Sequence, residues 1–203
     1  VYLLLVGDVD KIPTHYKNPH PYHKTNIGTD LYYAAMYEGK NEGYPDYSPD
    51  LFVGRLPVKT PEDTQIMVNK ILNYEKNPGG GGDTNWFKRI LYAAYLQDNK
   101  KGKDERFFLQ TAETMQQFMQ SKGYQGIRAY MPKNVAENYT YHYGEQLPTE
   151  VTGAFSDNDT ANRKIIDTIN EGCLIALHRD HGNSRNNKGK GVEGWVDPRF
   201  TID

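Results

Sequence analysis

Short, continuously apolar runs alternate along this chain with longer segments in which apolar residues recur every three or four positions. A short apolar run predicts a buried strand, because a strand covered on both faces has no polar side to show. Five runs fit this description: residues 1–6, 51–56, 90–96, 127–130 and 173–177. The periodic segments predict helices, and in the second half the two kinds of segment alternate. This order predicts an α/β fold with a mostly parallel sheet flanked by helices.

The clearest helix boundary in the first half lies at Thr60. Threonine is a capping residue, and Pro61 suits the first helical position. Pro78 and the glycines Gly79 to Gly82 end this helix and predict a flexible joint. The pattern therefore divides the chain into three parts: residues 1–78, a glycine-rich joint over residues 79–85, and residues 86–203.

Apolar residues at helical spacing predict the inward faces of the later helices. One face of the helix that ends at Gly123 is marked by Phe108, Ala112, Met115, Phe118 and Met119. A helix from about Thr160 to Gly172 is predicted to turn three isoleucines inward: Ile165, Ile166 and Ile169. The stretch from Pro132 to Asp159 has little periodicity, which predicts a long surface excursion.

Composition argues against a nucleic-acid-binding protein, a membrane-spanning protein and a disulfide-rich domain. The 24 basic side chains nearly balance the 26 acidic ones and form no basic stripe, so a nucleic-acid partner is not expected. No apolar run approaches the roughly 20 residues of a membrane span. The single cysteine excludes an internal disulfide framework. The chain begins at Val1 without methionine or a charged leader, which suggests a trimmed start.

Candidate chemistry lies at the ends of two predicted strands. His181 and Gly182 follow the run 173–177, and Asp98 follows the run 90–96. In an open α/β sheet, ligands bind beyond the carboxyl ends of the strands. If these strands are neighbours, Asp98 can hold one nitrogen of His181 and leave the other free to take a proton. From the residues alone, a structural role for His181 is the competing interpretation.

Cys173 is a poor candidate for the nucleophile that such a histidine would serve. It precedes His181 by eight residues along a predicted strand, which is about 26 Å when the chain is fully extended. The two residues are therefore predicted to lie at opposite ends of the sheet. A cysteine that opens a buried strand usually behaves as a small hydrophobic residue. One further hypothesis, a thiol hydrolase of unrelated fold with Cys173 as its nucleophile, stays open.

Metal sites are weakly indicated. His178 and His181 are three positions apart, so a strand would send them to opposite faces. A solvated loop is a better interpretation than a metal site for His15, His20 and His23. Two aspartate pairs leave a structural calcium ion as an open alternative: Asp8 with Asp10, and Asp46 with Asp50.

Taken in chain order, a set of short motifs resembles the gingipain family of cysteine peptidases, in the caspase-like clan. The matching stretches are residues 2–8, Tyr44-Pro45-Asp46, residues 53–58, residues 70–75, Trp86, Asp180-His181-Gly182 and Trp195. The family usually has a glycine where this chain has Asp180. The resemblance implies a caspase-like fold of two related subdomains, the first ending near residue 78 and the second beginning at Trp86.

The resemblance also implies roles for individual residues. His181 would be the catalytic histidine, the Gly182 amide an oxyanion donor, and Asp98 the nearest match to an acidic residue that orients the histidine. Trp195 and Asp104 would contribute to substrate binding. The nucleophilic cysteine would end the next strand, which is expected beyond Asp203.

The function implied is that of a cysteine endopeptidase, extracellular or at the cell surface, which acts on peptide or protein substrates and requires no cofactor. Its expected partner is the remaining C-terminal part of the peptidase domain. Residues 1–203 alone are expected to be inactive, because the only thiol lies remote from His181. The alternative is a catalytically inactive caspase-like domain that binds peptides or a partner protein.

Overall fold

The computed structural model describes most of the chain, in two compact units formed by residues 1–82 and 83–203. The residues it describes are 1–17, 27–36, 48–79, 82–98, 100–183, 194–195, 198 and 200–201. Four of the predicted motifs, segments and sites lie outside these ranges in whole or in part: Tyr44-Pro45-Asp46, the histidines His20 and His23, Asp46 of a proposed calcium pair, and Gly80 with Gly81 of the glycine-rich joint.

The described residues of the first unit form four short strands and one long α-helix: β1 (Tyr2–Val6), β2 (His15–Lys17), β3 (Ile27–Thr29), β4 (Phe52–Leu56) and α1 (Pro61–Lys76). Strands β1 and β4 pair in parallel, and β2 pairs with β3 in the antiparallel sense. Arg55 fastens this unit, since its guanidinium donates two hydrogen bonds to the carboxylate of Asp30 and further bonds to the carbonyls of Gly7 and Ile12.

The predicted cap of α1 is confirmed as a reciprocal capping box. The Thr60 side chain accepts a hydrogen bond from the backbone of Asp63, and the Asp63 carboxylate accepts one from the backbone of Thr60. Two of the large apolar residues of this helix, Ile66 and Ile71, are 66% and 42% exposed. A two-stranded sheet offers little surface to cover them.

The second unit carries the site and is built around a parallel sheet. Its elements are β5 (Arg89–Leu96), α2 (Phe108–Ser121), β6 (Gln125–Pro132), α3 (Thr149–Thr152), α4 (Asn158–Glu171), β7 (Ile175–Arg179), β8 (Gly182–Asn183), β9 (Gly194–Trp195) and β10 (Phe200–Thr201). The main sheet has the order β6-β5-β7, and both pairings are parallel. The predicted α/β fold with parallel strands and flanking helices is confirmed.

Strand β5 lies at the centre of this sheet and is buried on both faces. Its alternate residues join two separate apolar clusters. Ile90, Tyr92, Ala94 and Leu96 pack with residues of α2, whereas Leu91 and Ala93 pack with Ile165 of α4. The unit is therefore three-layered, with α2 on one side of the sheet and α4 on the other.

The inward face of α4 is narrower than predicted. Ile165 is fully buried, but Ile166 and Ile169 are 41% and 37% exposed. The buried stripe follows Ala161, Ile165 and Thr168 instead. These positions are four and three residues apart, so they share one side of the helix, while the other two isoleucines lie at its margins.

The inward face of α2 is partly polar, which the apolar pattern missed. Ala112 is buried as predicted, yet Met115 and Phe118 are exposed. Their expected place is taken by Glu113 and Gln116. These polar residues are buried because Arg128 and Tyr130 of β6 bond to them.

The segment from Pro132 to Asp159 is not a loose surface excursion. Tyr141, Leu147 and Val151 within it are buried and join the apolar cluster on the α2 side of the sheet. These isolated aromatic and aliphatic side chains attach the segment to the core, and residues spaced so irregularly create no periodic signal in the sequence. In the parts of the chain that the structure describes, no helix combines the length and the hydrophobicity that a bilayer crossing requires.

Candidate active site

The candidate site lies at the carboxyl edge of the main sheet. Strands β5 and β7 are parallel neighbours, so the residues that follow them emerge at the same edge. Gln97 and Asp98 follow β5, and His181 follows β7. The chain then enters β8, where Gly182 pairs with Trp195 of β9.

His181 is held by Gln97. The ring nitrogen Nε2 lies 3.1 Å from the Gln97 side-chain oxygen Oε1. An amide oxygen only accepts hydrogen bonds, so Nε2 carries the proton and donates it. This fixes the tautomer and leaves Nδ1 as the basic nitrogen of an exposed imidazole. Gln97 was not predicted as a site residue, although its position directly after a buried strand was a usable signal.

An aromatic side chain from α2 completes the surroundings of His181. The ring of Phe108, the first residue of α2, stands perpendicular to the imidazole with centroids 5.3 Å apart. The guanidinium carbon of Arg179 lies 5.7 Å from the centroid of the same Phe108 ring. The imidazole is thus oriented by an amide on one side and by a phenyl ring on another.

The structure brings His181 together with Gln97 and not with Asp98, the residue predicted to orient it. The Asp98 carboxylate is buried and accepts hydrogen bonds from the backbone of Gly102, at 3.0 Å, and from the side chain of Asn134. Successive side chains at a strand end point in opposite directions, so Gln97 and Asp98 cannot both face β7. Asp98 therefore organises the loop that follows β5.

That loop needs glycine at position 102. Gly102 has φ +74°, and a Cβ placed there would lie 1.9 Å from the carbonyl oxygen of Asn138. Its amide also binds Asp98, at 3.0 Å. Only glycine combines the positive φ with so close an approach of another backbone. The loop geometry is consequently fixed by the backbone and its partners.

Asp104, predicted to bind substrate, is a buried carboxyl group in this loop. It is 1% exposed, and its Oδ1 accepts a hydrogen bond from the Arg106 backbone at 3.0 Å. No donor among the described residues reaches its Oδ2. The pKa of Asp104 is raised to about 7, chiefly by burial; the hydrogen bond from the Arg106 backbone opposes the rise, and the nearby Asp98 charge adds to it.

Asp104 contributes to a cleft beside the His181 site. The cleft has a volume of about 420 Å³ and is lined by Lys103, Asp104, Glu105, Arg106 and His142. The backbone carbonyl of Gln97 accepts a hydrogen bond from the Glu105 amide at 2.8 Å, while the Gln97 side chain contacts His181. One residue therefore links the cleft to the imidazole.

The remaining predicted site residues are Gly182 and Trp195. Gly182 is exposed and directly follows His181. The backbone of Trp195 pairs with Gly182 and with Phe200, so it lies beside the His-Gly dipeptide, whereas its side chain is outside the described part of the structure. The substrate-binding role of Trp195 stays a prediction.

Cys173 lies at the other end of the sheet, as predicted. It precedes β7 and packs against the cluster on the α4 side of the sheet. Burial raises the pKa of its thiol, and the Arg89 charge and a hydrogen bond with the Leu91 backbone oppose that rise in part. Leu91 and Gln97 are six positions apart on or just after β5, about 20 Å of extended chain. Cys173 is therefore a core cysteine remote from His181.

The structure offers no clear metal centre in the ranges it describes. There, no three side chains of His, Cys, Asp or Glu gather closely enough to hold an ion. Asp8 binds the Val9 amide and forms an ion pair with Lys59 at 3.7 Å, and Asp50 binds the Met36 amide. Burial, reinforced by the Arg179 charge, lowers the pKa of His178 to about 4, so that imidazole is neutral at physiological pH.

Comparison with known proteins relates nearly the whole chain to one family of peptidases. The family model described as peptidase family C25 matches residues 1–194. A Lys-gingipain of Porphyromonas gingivalis is 25% identical over 201 residues, which is 99% of this chain but 9% of that protein. Another Lys-gingipain of the same organism is 37% identical over 76 residues, or 37% of this chain and 4% of that protein.

A solved structure shows the same fold. The crystal structure of the Arg-specific cysteine proteinase gingipain R matches 90% of this chain with a TM-score of 0.60 and 20% sequence identity. The match covers 33% of that structure's chain. The chain thus spans under a tenth of the curated relatives and a third of the solved one. The caspase-like α/β architecture expected from the motifs is confirmed.

Proposed function

Because the chain belongs to peptidase family C25, we propose that it is the histidine-bearing part of a cysteine endopeptidase and that His181 is the dyad histidine. The observation that carries this proposal is the position of His181 at the carboxyl end of a central parallel sheet, with Nε2 bonded to Gln97. Its second nitrogen remains available as a general base.

The proposed reaction needs a cysteine thiol from outside residues 1–203. His181 Nδ1 takes the thiol proton, and the sulfur attacks the carbonyl carbon of the peptide bond. A carbon–sulfur bond forms, and the carbonyl becomes a tetrahedral oxyanion that the Gly182 amide stabilises. The carbon–nitrogen bond then breaks as the imidazolium returns its proton to the leaving amine. Water hydrolyses the resulting thioester and restores the thiol.

Gln97 is proposed to position His181 without adding charge. The resemblance to gingipains implied an acidic residue in this role, and the neutral amide performs the geometric part of it. It keeps Nε2 protonated and the ring plane fixed.

The cleft that contains Asp104 is proposed to accept part of the substrate, with Trp195 contributing from β9. Its support is the location of the cleft next to the partner of His181. The substrate is a peptide or protein, and the site of action is the cell surface or the extracellular medium, both carried over from the family resemblance. No cofactor enters the proposed reaction, and a structural calcium ion remains a separate expectation.

A catalytically silent domain that binds peptides is the second candidate. The observation that favours it is the distance between His181 and the chain's single thiol, Cys173, at the opposite end of β7. This candidate requires that no other cysteine approach His181 in the natural protein.

Peptide hydrolysis by the natural protein that contains residues 1–203 tests the proposal. We expect thiol-dependent cleavage, and we expect His181→Ala to lower kcat/KM by about 1000-fold or more, since the dyad acts as a unit. The matched control is His15→Ala, a histidine of the first unit that stacks on Tyr32. Full activity in His181→Ala, or equal losses in both variants, would reject His181 as the dyad histidine.

A further inference from the structure

The surface beside His181 is aromatic. Phe108 presents its ring to the imidazole at a centroid distance of 5.3 Å. A substrate whose scissile bond lies at His181 would place a neighbouring side chain near this ring. The face of a phenyl ring can attract a cation, but Arg179 already lies over this ring, with its guanidinium carbon 5.7 Å from the centroid. The contribution left to Phe108 is apolar contact and ring packing.

The electrostatic surroundings of Phe108 disfavour a cation. Arg179 lies over its ring, with the guanidinium carbon 5.7 Å from the ring centroid. Phe108 also begins α2, whose first turn contains no acidic residue and whose first amides receive no side-chain cap. The amino end of a helix carries partial positive charge. A lysine or arginine side chain would meet two sources of positive potential here.

A second group of rings lies at the same amino end of α2, where Phe107 is the N-cap residue. Phe107 precedes Phe108 and packs against His142 and Tyr143, with centroid distances of 4.5 Å and 5.5 Å. Phe107 is 42% exposed and Tyr143 is 81% exposed. Together these rings present apolar area that the described residues leave uncovered.

The second group of rings is held in place by its own turn. Tyr141 is buried, and its carbonyl accepts a hydrogen bond from the Gly144 amide at 2.9 Å, which closes a tight turn around His142 and Tyr143. Gly144 adopts φ +92°, a conformation that favours glycine. The rings are therefore arranged before any substrate arrives, which lowers the entropic cost of binding.

We propose, building on the proposed peptidase function, that Phe108, Phe107, His142 and Tyr143 form a substrate subsite that takes an uncharged aromatic or large aliphatic side chain and disfavours lysine and arginine. The apolar contacts supply the affinity, and Arg179 with the amino end of α2 supplies the discrimination against cations. A specificity of this kind differs from that stated in the names of the Lys- and Arg-specific relatives.

Binding of short peptides to the natural protein that contains residues 1–203, with its thiols alkylated by iodoacetamide, tests the subsite without relying on catalysis. The probes are acetylated tetrapeptide amides that differ at one central residue, which is phenylalanine, leucine, lysine or glutamate. Two-dimensional NMR follows the His181 and Tyr143 ring signals and the backbone amides of residues 103–106 during titration. We expect the phenylalanine peptide to bind at least about tenfold more tightly than the lysine peptide, the discrimination that one apolar pocket typically achieves.

Three variants separate the parts of the subsite. Phe108→Ala is expected to lower the affinity for the phenylalanine peptide about tenfold or more. Phe108→Leu keeps most of the apolar area and should keep most of that affinity. Arg179→Gln is expected to raise the affinity for the lysine peptide severalfold and to leave the affinity for the phenylalanine peptide nearly unchanged. Tyr74→Ala removes a 52% exposed ring of α1 in the first unit and serves as the control.

The outcomes distinguish this proposal from the proposed function. Three results would overturn the subsite. They are tighter binding of the lysine peptide than of the phenylalanine peptide, no saturable binding of any probe, and signal changes confined to the cleft at Lys103 to Arg106. Cleavage by the natural protein after lysine or arginine would leave the peptidase assignment standing and reject the subsite. Selective phenylalanine binding by a natural protein that cleaves nothing would reject the peptidase and retain the subsite.

Discussion

Gln97 and Asp98 are adjacent in sequence and serve different parts of the site. The Gln97 side chain reaches His181, while the Asp98 carboxylate binds the Gly102 amide and fixes the following loop. The difference follows from the alternation of side chains at the end of β5. Sequence patterns favoured Asp98 because a carboxylate is the usual partner of a catalytic histidine. The register of one residue was beyond what an apolar run could define.

Removing the Gln97 amide should impair catalysis more than binding. Gln97→Ala leaves His181 without its positioning partner, so we expect kcat of the natural protein to fall about 10–100-fold with KM little changed. Gln97→Glu supplies an acceptor of the same size and should restore most of kcat. Steady-state kinetics on both variants provide the measurement. A loss confined to KM, or failure of the glutamate variant to rescue, would contradict the positioning role.

Asp104 should make folding less favourable as pH rises through neutrality. Its pKa is raised to about 7 by burial, from an ordinary value of 3.8. Between these two values the folded state holds the proton and the unfolded state has lost it, so the stability contributed by the neutral carboxyl group declines from about pH 4 towards pH 8. Over that window the loss reaches up to about 4 kcal/mol for a shift of this size.

Asp104→Asn tests this linkage, since the amide keeps the acceptor for the Arg106 backbone and cannot ionise. Urea unfolding of both proteins between about pH 5 and pH 8.5 should show the variant gaining stability relative to the wild type as pH rises. A difference in unfolding free energy that does not change with pH would show that Asp104 titrates as an ordinary carboxyl group.

At the scale of elements, apolar runs and helix caps were sufficient to predict the main strands and helices. Thr60 and Pro61 defined the start of α1, and Gly172 defined the end of α4. Gly172 adopts φ +91°, and a Cβ added to it would lie 2.8 Å from the Trp86 Cβ, so its place is fixed by both conformation and space. Such local signals are readable because they act within a few residues.

Inward-facing residues were harder to predict than the elements themselves. Glu113 is buried on α2 because Arg128 of β6 donates to both of its oxygens, at 2.7 Å and 2.9 Å, and Tyr130 donates to one of them. The partners are 15 and 17 positions away in sequence. Pattern reasoning treats a glutamate as exposed, and only the tertiary pairing of α2 with β6 makes it internal.

Breaking that pairing from one side should be costly. Glu113→Ala leaves the Arg128 guanidinium in a largely buried position without its carboxylate, so we expect a loss of about 3–5 kcal/mol in the free energy of unfolding. The matched control is Glu62→Ala, which removes the same side chain from an exposed position in the first turn of α1. Thermal or urea unfolding measures both. Equal, small losses would show that the buried pair contributes little.

At the scale of the whole molecule, the ordered motifs predicted more than the individual residues did. The gingipain resemblance named the family and its fold, and both are confirmed by the match over residues 1–194 and by the solved relative. Site roles required the register of strand ends and the packing of α2 against β7. Neither can be inferred from a local sequence pattern. The contacts of His181 with Gln97 and Phe108 were therefore found only in the structure.

The separation of Cys173 from His181 carries the central claim that the nucleophile comes from outside residues 1–203. Cys173 packs in the core at the amino end of β7 with a raised pKa, so its thiolate is scarce at neutral pH. A reactive cysteine near His181 would instead be largely ionised and exposed to substrate. The two thiols should therefore differ greatly in their rate of alkylation.

The most direct measurement is to label the natural protein with a peptidyl acyloxymethyl ketone and to locate the adduct by mass spectrometry. The account predicts an adduct on a cysteine outside residues 1–203, abolished in His181→Ala and unaffected in Cys173→Ala. An adduct on Cys173, or labelling of another cysteine that persists without His181, would contradict it.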